Sequence, residues 1–159
     1  MSAIAAVGDR TGVLGVGYEG RSIGEFVTGL VSLGVNRLVD VRLMPLSRKR
    51  GFSKSAISQA LNERGIRYEH LRELGNPKEN RPGFAGTPAE LESARQAYAD
   101  LLDRPESIAA LDELASAAQD ELVALLCFEA DESRCHRHVV MRALKDRSAT
   151  VWASTPPTR

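Results

Sequence analysis

The run Leu122-Val123-Ala124-Leu125-Leu126-Cys127 constrains this chain more than any other segment. It is apolar at every position, where a strand with one face in water would alternate apolar and polar side chains. Such a segment reads as a central strand covered on both faces, and a parallel sheet between two layers of helices provides that cover.

The rest of the chain supplies matching pieces. Gly12-Val13-Leu14-Gly15-Val16-Gly17 is a second short apolar strand bounded by turn residues. Ser22 with Glu25 forms a capping box, Ile23, Phe26, Val27, Leu30 and Val31 recur at helical spacing, and Gly34 supplies the stop. Strands at 37–41 and 66–71 follow, separated by a helix that Ser53 caps and Gly65 ends. Thr87-Pro88-Ala89-Glu90 opens another helix and Pro105 a further one. Ser133 is placed to cap a helix after the central strand, and residues 149–153 offer a last strand.

Strand, helix, strand in repetition requires parallel pairing, because each helix carries the chain back before the next strand begins. The expected fold is therefore α/β and three-layer: a mostly parallel sheet of four to five strands with helices on both faces. One domain over 1–159 is expected, with its core at about 11–153 and a frayed tail at 154–159. The stretch 72–88, rich in glycine, proline and asparagine, is too long for a simple connection and reads as a functional or lid-like loop.

Charge narrows the function classes. Lys plus Arg equals Asp plus Glu, at 21 each, so no global field draws the chain to nucleic acid or membrane. No apolar run is long enough to span a bilayer, and no membrane partner is expected. The two cysteines, Cys127 and Cys135, read as reduced thiols of a cytoplasmic protein.

Ligands of open parallel sheets bind beyond the carboxyl ends of the strands. There the first strand delivers Tyr18, Glu19 and Arg21, the second Asp40 and Arg42, the third His70 and Glu73, and the fourth Cys127, Glu129 and Asp131. Each residue taken singly has an ordinary explanation as a solvated loop group, but four strands ending in ionisable groups point to a site. In Cys127 to Arg137, Cys135 and His136 share the face of Val139, Val140 and Ala143, whereas His138 falls opposite and reads as a surface histidine. A thiol in a helical first turn beside an imidazole is placed for a lowered pKa, against the alternative that Cys135 only packs. Cys127, Cys135, His136 and His70 include the ligand types for zinc, but they lack paired short-interval spacing and no Cys-x-x-Cys occurs, so no metal is expected; Glu19, Asp40, Glu129 and Asp131 include the ligand types for a hard cation, but salt bridges explain them equally. The loop 42–50, with Arg42, Arg48, Lys49 and Arg50, is either a phosphate grip or a solvated turn.

The blocks Gly17-Tyr18-Glu19-Gly20-Arg21-Ser22, Asp40-Val41-Arg42, Pro45-Leu46-Ser47-Arg48, Gly51-Phe52-Ser53-Lys54, Tyr68-Glu69-His70-Leu71, Glu73-Leu74-Gly75, Cys127-Phe128-Glu129 and Cys135-His136-Arg137 occur in this order. In this the chain resembles the family catalogued as domain of unknown function 488, over about residues 14–144. The resemblance implies an α/β fold and marks the matching positions as the site, without supplying a substrate or cofactor. Many members have a histidine where this chain has Tyr18, and the chain is similar to the Gly-Tyr-Glu-Gly branch.

The resulting expectation is a small enzyme acting on a phosphate-bearing ligand, a nucleotide or nucleic-acid component. Asp40, His70, Glu129, Cys135 and His136 are its candidate catalytic groups; Tyr18, Glu19, Arg21, Arg42, Arg48 and Arg137 are its candidate ligand contacts. The competing expectations are a non-catalytic nucleic-acid-binding module or adaptor using the 42–50 loop, and a thiol-dependent redox or sulfur-transfer protein.

Overall fold

The computed structural model describes residues 10–152. Strand β1 (Gly12–Gly17) leads into α1 (Ile23–Leu33), β2 (Arg37–Asp40), α2 (Lys54–Asn62) and β3 (Arg67–His70). Three short 3-10 turns fill 72–85, and then come α3 (Pro88–Leu101), α4 (Pro105–Ala117), β4 (Leu122–Cys127) and α5 (Arg137–Lys145). Both expected capping boxes form: Ser22 and Glu25 exchange side-chain to backbone hydrogen bonds at α1, as Thr87 and Glu90 do at α3. Gly34, at φ 80°, closes α1 in the left-handed conformation that glycine adopts without steric cost.

All four strands are parallel, in the order β1-β4-β2-β3. The apolar run at 122–127 is thus an interior strand between β1 and β2, which is why none of its positions needs a polar side chain. Strand alternation divides its residues between two layers. Leu122, Ala124 and Leu126 pack with Phe26, Val27 and Leu30 of α1 and Ile57 and Leu61 of α2. Val123, Leu125 and Cys127 pack on the other side with side chains of α3, α4 and α5. This is the expected three-layer α/β arrangement.

Two local expectations are corrected. Ser133 does not cap the helix after β4; the Asp131 carboxylate accepts from the Ser133 backbone N–H, a 3-10 turn occupies Glu132–Arg134, and α5 begins only at Arg137. Residues 149–152 form no strand, only a single parallel bridge between Val13 and Val151; Ala153 and the tail 154–159 lie outside the described residues. The stretch 72–88, expected as a functional or lid-like loop, is anchored on the core, with Leu74 and Phe84 buried and the Tyr98 hydroxyl donating to the Leu74 carbonyl at 2.6 Å.

Candidate functional site

The carboxyl ends of β1, β4 and β2 are level, since Gly17 pairs with Cys127 and Asp40 with Leu126. Alternation decides what each end presents. On β2, Asp40 and Arg42 follow Leu38 toward the α1 and α2 layer, while Val41 and, from β4, Cys127 turn to the α3 to α5 layer. Two polar assemblies result, one on each side of the sheet, meeting over the end of β4.

The first is built on a buried ion pair. Asp40 is 0% and Arg42 6% exposed. Arg42 Nε and Nη2 donate to the two Asp40 carboxylate oxygens at 2.9 and 2.6 Å, and Nη1 donates to the Tyr18 hydroxyl and the Phe52 carbonyl. Tyr68 donates its hydroxyl to Asp40 Oδ2 at 2.5 Å. Burial by itself lowers the Arg42 pKa, but the hydrogen bonds and charge of Asp40 outweigh it and hold the guanidinium above its ordinary value. Burial, then the Asp40 hydrogen bond, pushes the Tyr68 hydroxyl up. Tyr18 stacks flat on Phe52, at 4.4 Å between ring centroids.

The second assembly gathers Cys127 from β4 with Cys135 and His136, which lie just ahead of α5. His136 Nε2 donates to the Val41 carbonyl at 2.8 Å, because a carbonyl can only accept. In the neutral ring this leaves Nδ1 as the lone-pair nitrogen, and it lies 3.8 Å from both Cys127 Sγ and Cys135 Sγ. The Cys127 thiol donates to Glu129 Oε2 at 3.4 Å. Cys127, Cys135 and His136 are all buried, with ligand atoms within 4.8 Å of one another, and among the described residues they are the group with the composition to hold a metal.

Between the two assemblies lies a cavity of about 140 Å³. Tyr18, Arg42, Cys127, Glu129, Cys135 and His136 line it, as do Asn76, Arg81 and Phe84 from the 72–88 stretch and Arg134 from the turn before α5. Met44, Leu46 and Phe128 form its mouth, with Leu46 70% and Phe128 44% exposed. Asn76, Arg81, Phe84 and Arg134 were not singled out from the sequence. The glycine and proline density of 72–88 marked the segment but not which side chains turn inward, and Arg134 stood beside Cys135 and His136 as a signal left unused.

Other expected contacts lie elsewhere. Asp40 is beneath the cavity wall, fully engaged by Arg42 and Tyr68. His70 donates Nε2 to the Arg42 carbonyl at 2.7 Å and supports the loop from outside. Glu19 accepts from the Ala130 backbone N–H, holding the β1 and β4 loops together. Arg21 is half-buried away from the wall, and Arg48 is exposed on the basic loop. Arg137 is buried, 3.8 Å from Glu132, and does not reach the cavity. The carboxylates of Glu19, Asp40, Glu129 and Asp131 each have separate partners and do not gather round a point.

The expected activation of Cys135 is reversed. His136 does favour the thiolate, but burial, and then the Cys127 thiol beside it, push the Cys135 pKa well up. Burial, followed by the two cysteines, raises the Tyr98 hydroxyl as well. Both groups keep their protons in the folded chain at pH values where the unfolded chain has lost them, so the folded state binds more protons and stability falls as pH rises. In chelator-treated protein the fall begins near the ordinary thiol pKa of about 8.5 and steepens above about 10, each group contributing up to about 1.4 kcal/mol per pH unit. Urea melts across that window check this, and Cys135→Ala flattens the first part of the profile; an unchanged slope would mean Cys135 is not a buried neutral thiol.

The family model for the domain of unknown function DUF488 matches residues 22–144. The chain belongs to the DUF488 family. The match begins at the α1 cap, after the Tyr18 turn, and takes in β2, the basic loop, the 72–88 stretch and the Cys127 to Arg137 segment. No curated protein and no solved structure matches the chain. No helix among the described residues is long and apolar enough to cross a membrane.

Proposed function

We propose that the DUF488 cavity binds a small phosphate-bearing ligand, a nucleotide or nucleic-acid component, and that the chain is an enzyme acting on it. One observation carries the reading: Arg42, Arg81 and Arg134 all reach a cavity of about 140 Å³ whose one carboxylate is Glu129. Asp40 neutralises Arg42, but Arg81 and Arg134 have no ion-pair partner among the described residues. Arg134 is steadied instead by the Phe84 and Gly86 carbonyls, which orient a guanidinium without cancelling its charge. Arginine forks match phosphate oxygens, and the exposed Phe128 and Leu46 at the mouth suit the flat apolar part of a nucleotide. Glu129, half-buried and next to the cysteines, is the acid–base group of this reading, since Asp40 is enclosed in its ion pair.

The adaptor reading is weaker on this molecule. Of the expected basic contacts Arg42 is buried, and Phe52, the aromatic residue nearest the loop, is enclosed beneath Tyr18 and unavailable for stacking on a base. Titration calorimetry with inorganic pyrophosphate and nucleoside monophosphates tests the proposal. Arg81→Ala and Arg134→Ala each weaken binding about 10–100-fold, the equivalent of one charged hydrogen-bonding contact of roughly 1.5–3 kcal/mol. Glu129→Gln keeps binding and loses turnover. An absence of binding to every phosphate compound would overturn the reading, and oligonucleotide binding abolished by neutralising Arg48, Lys49 and Arg50 would transfer the function to the loop.

A further inference from the structure

The basic cavity wall leaves Cys127, Cys135 and His136 without a part in binding an anion. We propose that these three residues form a zinc site, with the fourth coordination position facing the cavity and Glu129. The inference stands on geometry and does not depend on the anion reading.

Zinc bonds of about 2.3 Å to sulfur and about 2.0–2.1 Å to nitrogen, arranged tetrahedrally, place a sulfur and a nitrogen ligand roughly 3.6 Å apart. Here each of Cys127 Sγ and Cys135 Sγ is 3.8 Å from His136 Nδ1, and all three atoms lie within 4.8 Å of one another. Both sulfur-to-nitrogen distances therefore lie within a few tenths of an ångström of those a zinc centre sets. The nitrogen in question is the correct one: the Val41 carbonyl accepts from Nε2, so the ring is fixed in the orientation and tautomer that expose the Nδ1 lone pair. A backbone carbonyl holding the far nitrogen is the usual outer partner of a metal-binding histidine.

The Cys-x-x-Cys test applied to the sequence looks for ligands on one short turn. Here one thiol comes from the end of an interior strand and the other two ligands from the start of the following segment, eight residues later, a spacing that only the strand's parity brings together. Two thiols and an imidazole select a borderline or soft ion over magnesium or calcium. On binding, each thiol releases its proton to solvent and the ion takes the two thiolates, so no oxidant or reductant is involved. With three protein ligands and a carboxylate 3.4 Å from one of them, the site has the form of zinc centres that keep one position for water or substrate.

The full chain, reduced and chelator-treated, is titrated with cobalt(II) as a spectroscopic stand-in. The expected result is saturation at one equivalent, with a near-ultraviolet thiolate charge-transfer band and the intense visible bands of four-coordinate cobalt, both removed by one equivalent of zinc. Cys127→Ser, Cys135→Ser and His136→Ala each weaken binding by more than the roughly 10–100-fold that loss of an outer partner costs, while His138→Ala leaves it unchanged. The wild-type spectrum decides the matter even where a variant misfolds. Cobalt binding without a charge-transfer band, no binding at all, or a Cys127–Cys135 disulfide in the purified protein that binds no metal after reduction would each overturn the site. Arg81→Ala and Arg134→Ala retain the cobalt spectrum, so loss of phosphate binding with an intact spectrum, or the converse, separates failure of one reading from failure of the other.

Discussion

Asp40→Ala lowers the stability of the chain by about 3–5 kcal/mol, the cost of leaving one member of a buried ion pair without its partner. The reason lies in how completely Arg42 is enclosed. Its Nε and Nη2 bond to Asp40 and its Nη1 to Tyr18 and Phe52, so no rotamer takes the guanidinium to water without breaking that whole set. Removing the carboxylate also strands the Tyr68 hydroxyl, whose partner is Asp40. Asp40→Asn has a similar cost, because the amide keeps the shape and loses the charge. Replacing both partners in Asp40→Leu/Arg42→Met costs far less, since two apolar groups leave no charge uncompensated. Urea denaturation of the four proteins gives the comparison. If Asp40→Ala and the double variant were equally stable, leaving Arg42 without its partner would cost nothing, and Asp40 would again be available as a catalytic base.

That pair illustrates what was legible from the sequence. Asp40 and Arg42 are two positions apart at the end of a strand, so alternation already places them on one side, where arginine and aspartate neutralise each other. The layers were readable for the same reason: the unbroken apolar run at 122–127 demanded helices above and below, and the capping boxes at Ser22 and Thr87 marked where two of them begin. The position of β4 between β1 and β2 was not, because strand pairing is chosen by long-range packing that no local window contains. Nor was the late start of α5. Asp131 and Ser133 both offer capping oxygens, and the turn forms around the aspartate, moving Cys135 out of the helical first turn and into the core. The cavity wall combines Arg81 and Arg134, 53 positions apart in the chain, and local pattern carries no information about such pairs.

Gly17→Ala costs about 1–3 kcal/mol through overpacking and lowers turnover at the cavity, although the residue is not part of its wall. Gly17 ends β1 in register with Cys127, and the loop after β4 folds directly over it. A Cβ at this position would overlap the Glu129 carbonyl oxygen and come 2.7 Å from its carbonyl carbon and 3.1 Å from the Ala130 Cα. These are backbone atoms, so no side-chain rotation relieves the overlap and one of the two segments must shift. β1 is held by its pairing along the whole of β4, whereas the loop is tied to it by the Glu19 N–H donating to the Phe128 carbonyl and the Ala130 N–H donating to the Glu19 carboxylate. The loop therefore yields, carrying Glu129 and Phe128 away from Cys127 and from the cavity mouth. A displacement of about 1 Å at a reacting group is enough to cost on the order of 100-fold in rate. Gly29→Ala supplies the contrast: a Cβ there meets nothing within 4 Å, and alanine in a helix interior gains about 0.5–1 kcal/mol over glycine. Thermal melts and turnover measurements on both variants distinguish a packing effect from a generic response to alanine. If Gly17→Ala matched the wild type in both, the loop would not rest on β1, and the position assigned to Glu129 at the cavity would lose its physical basis.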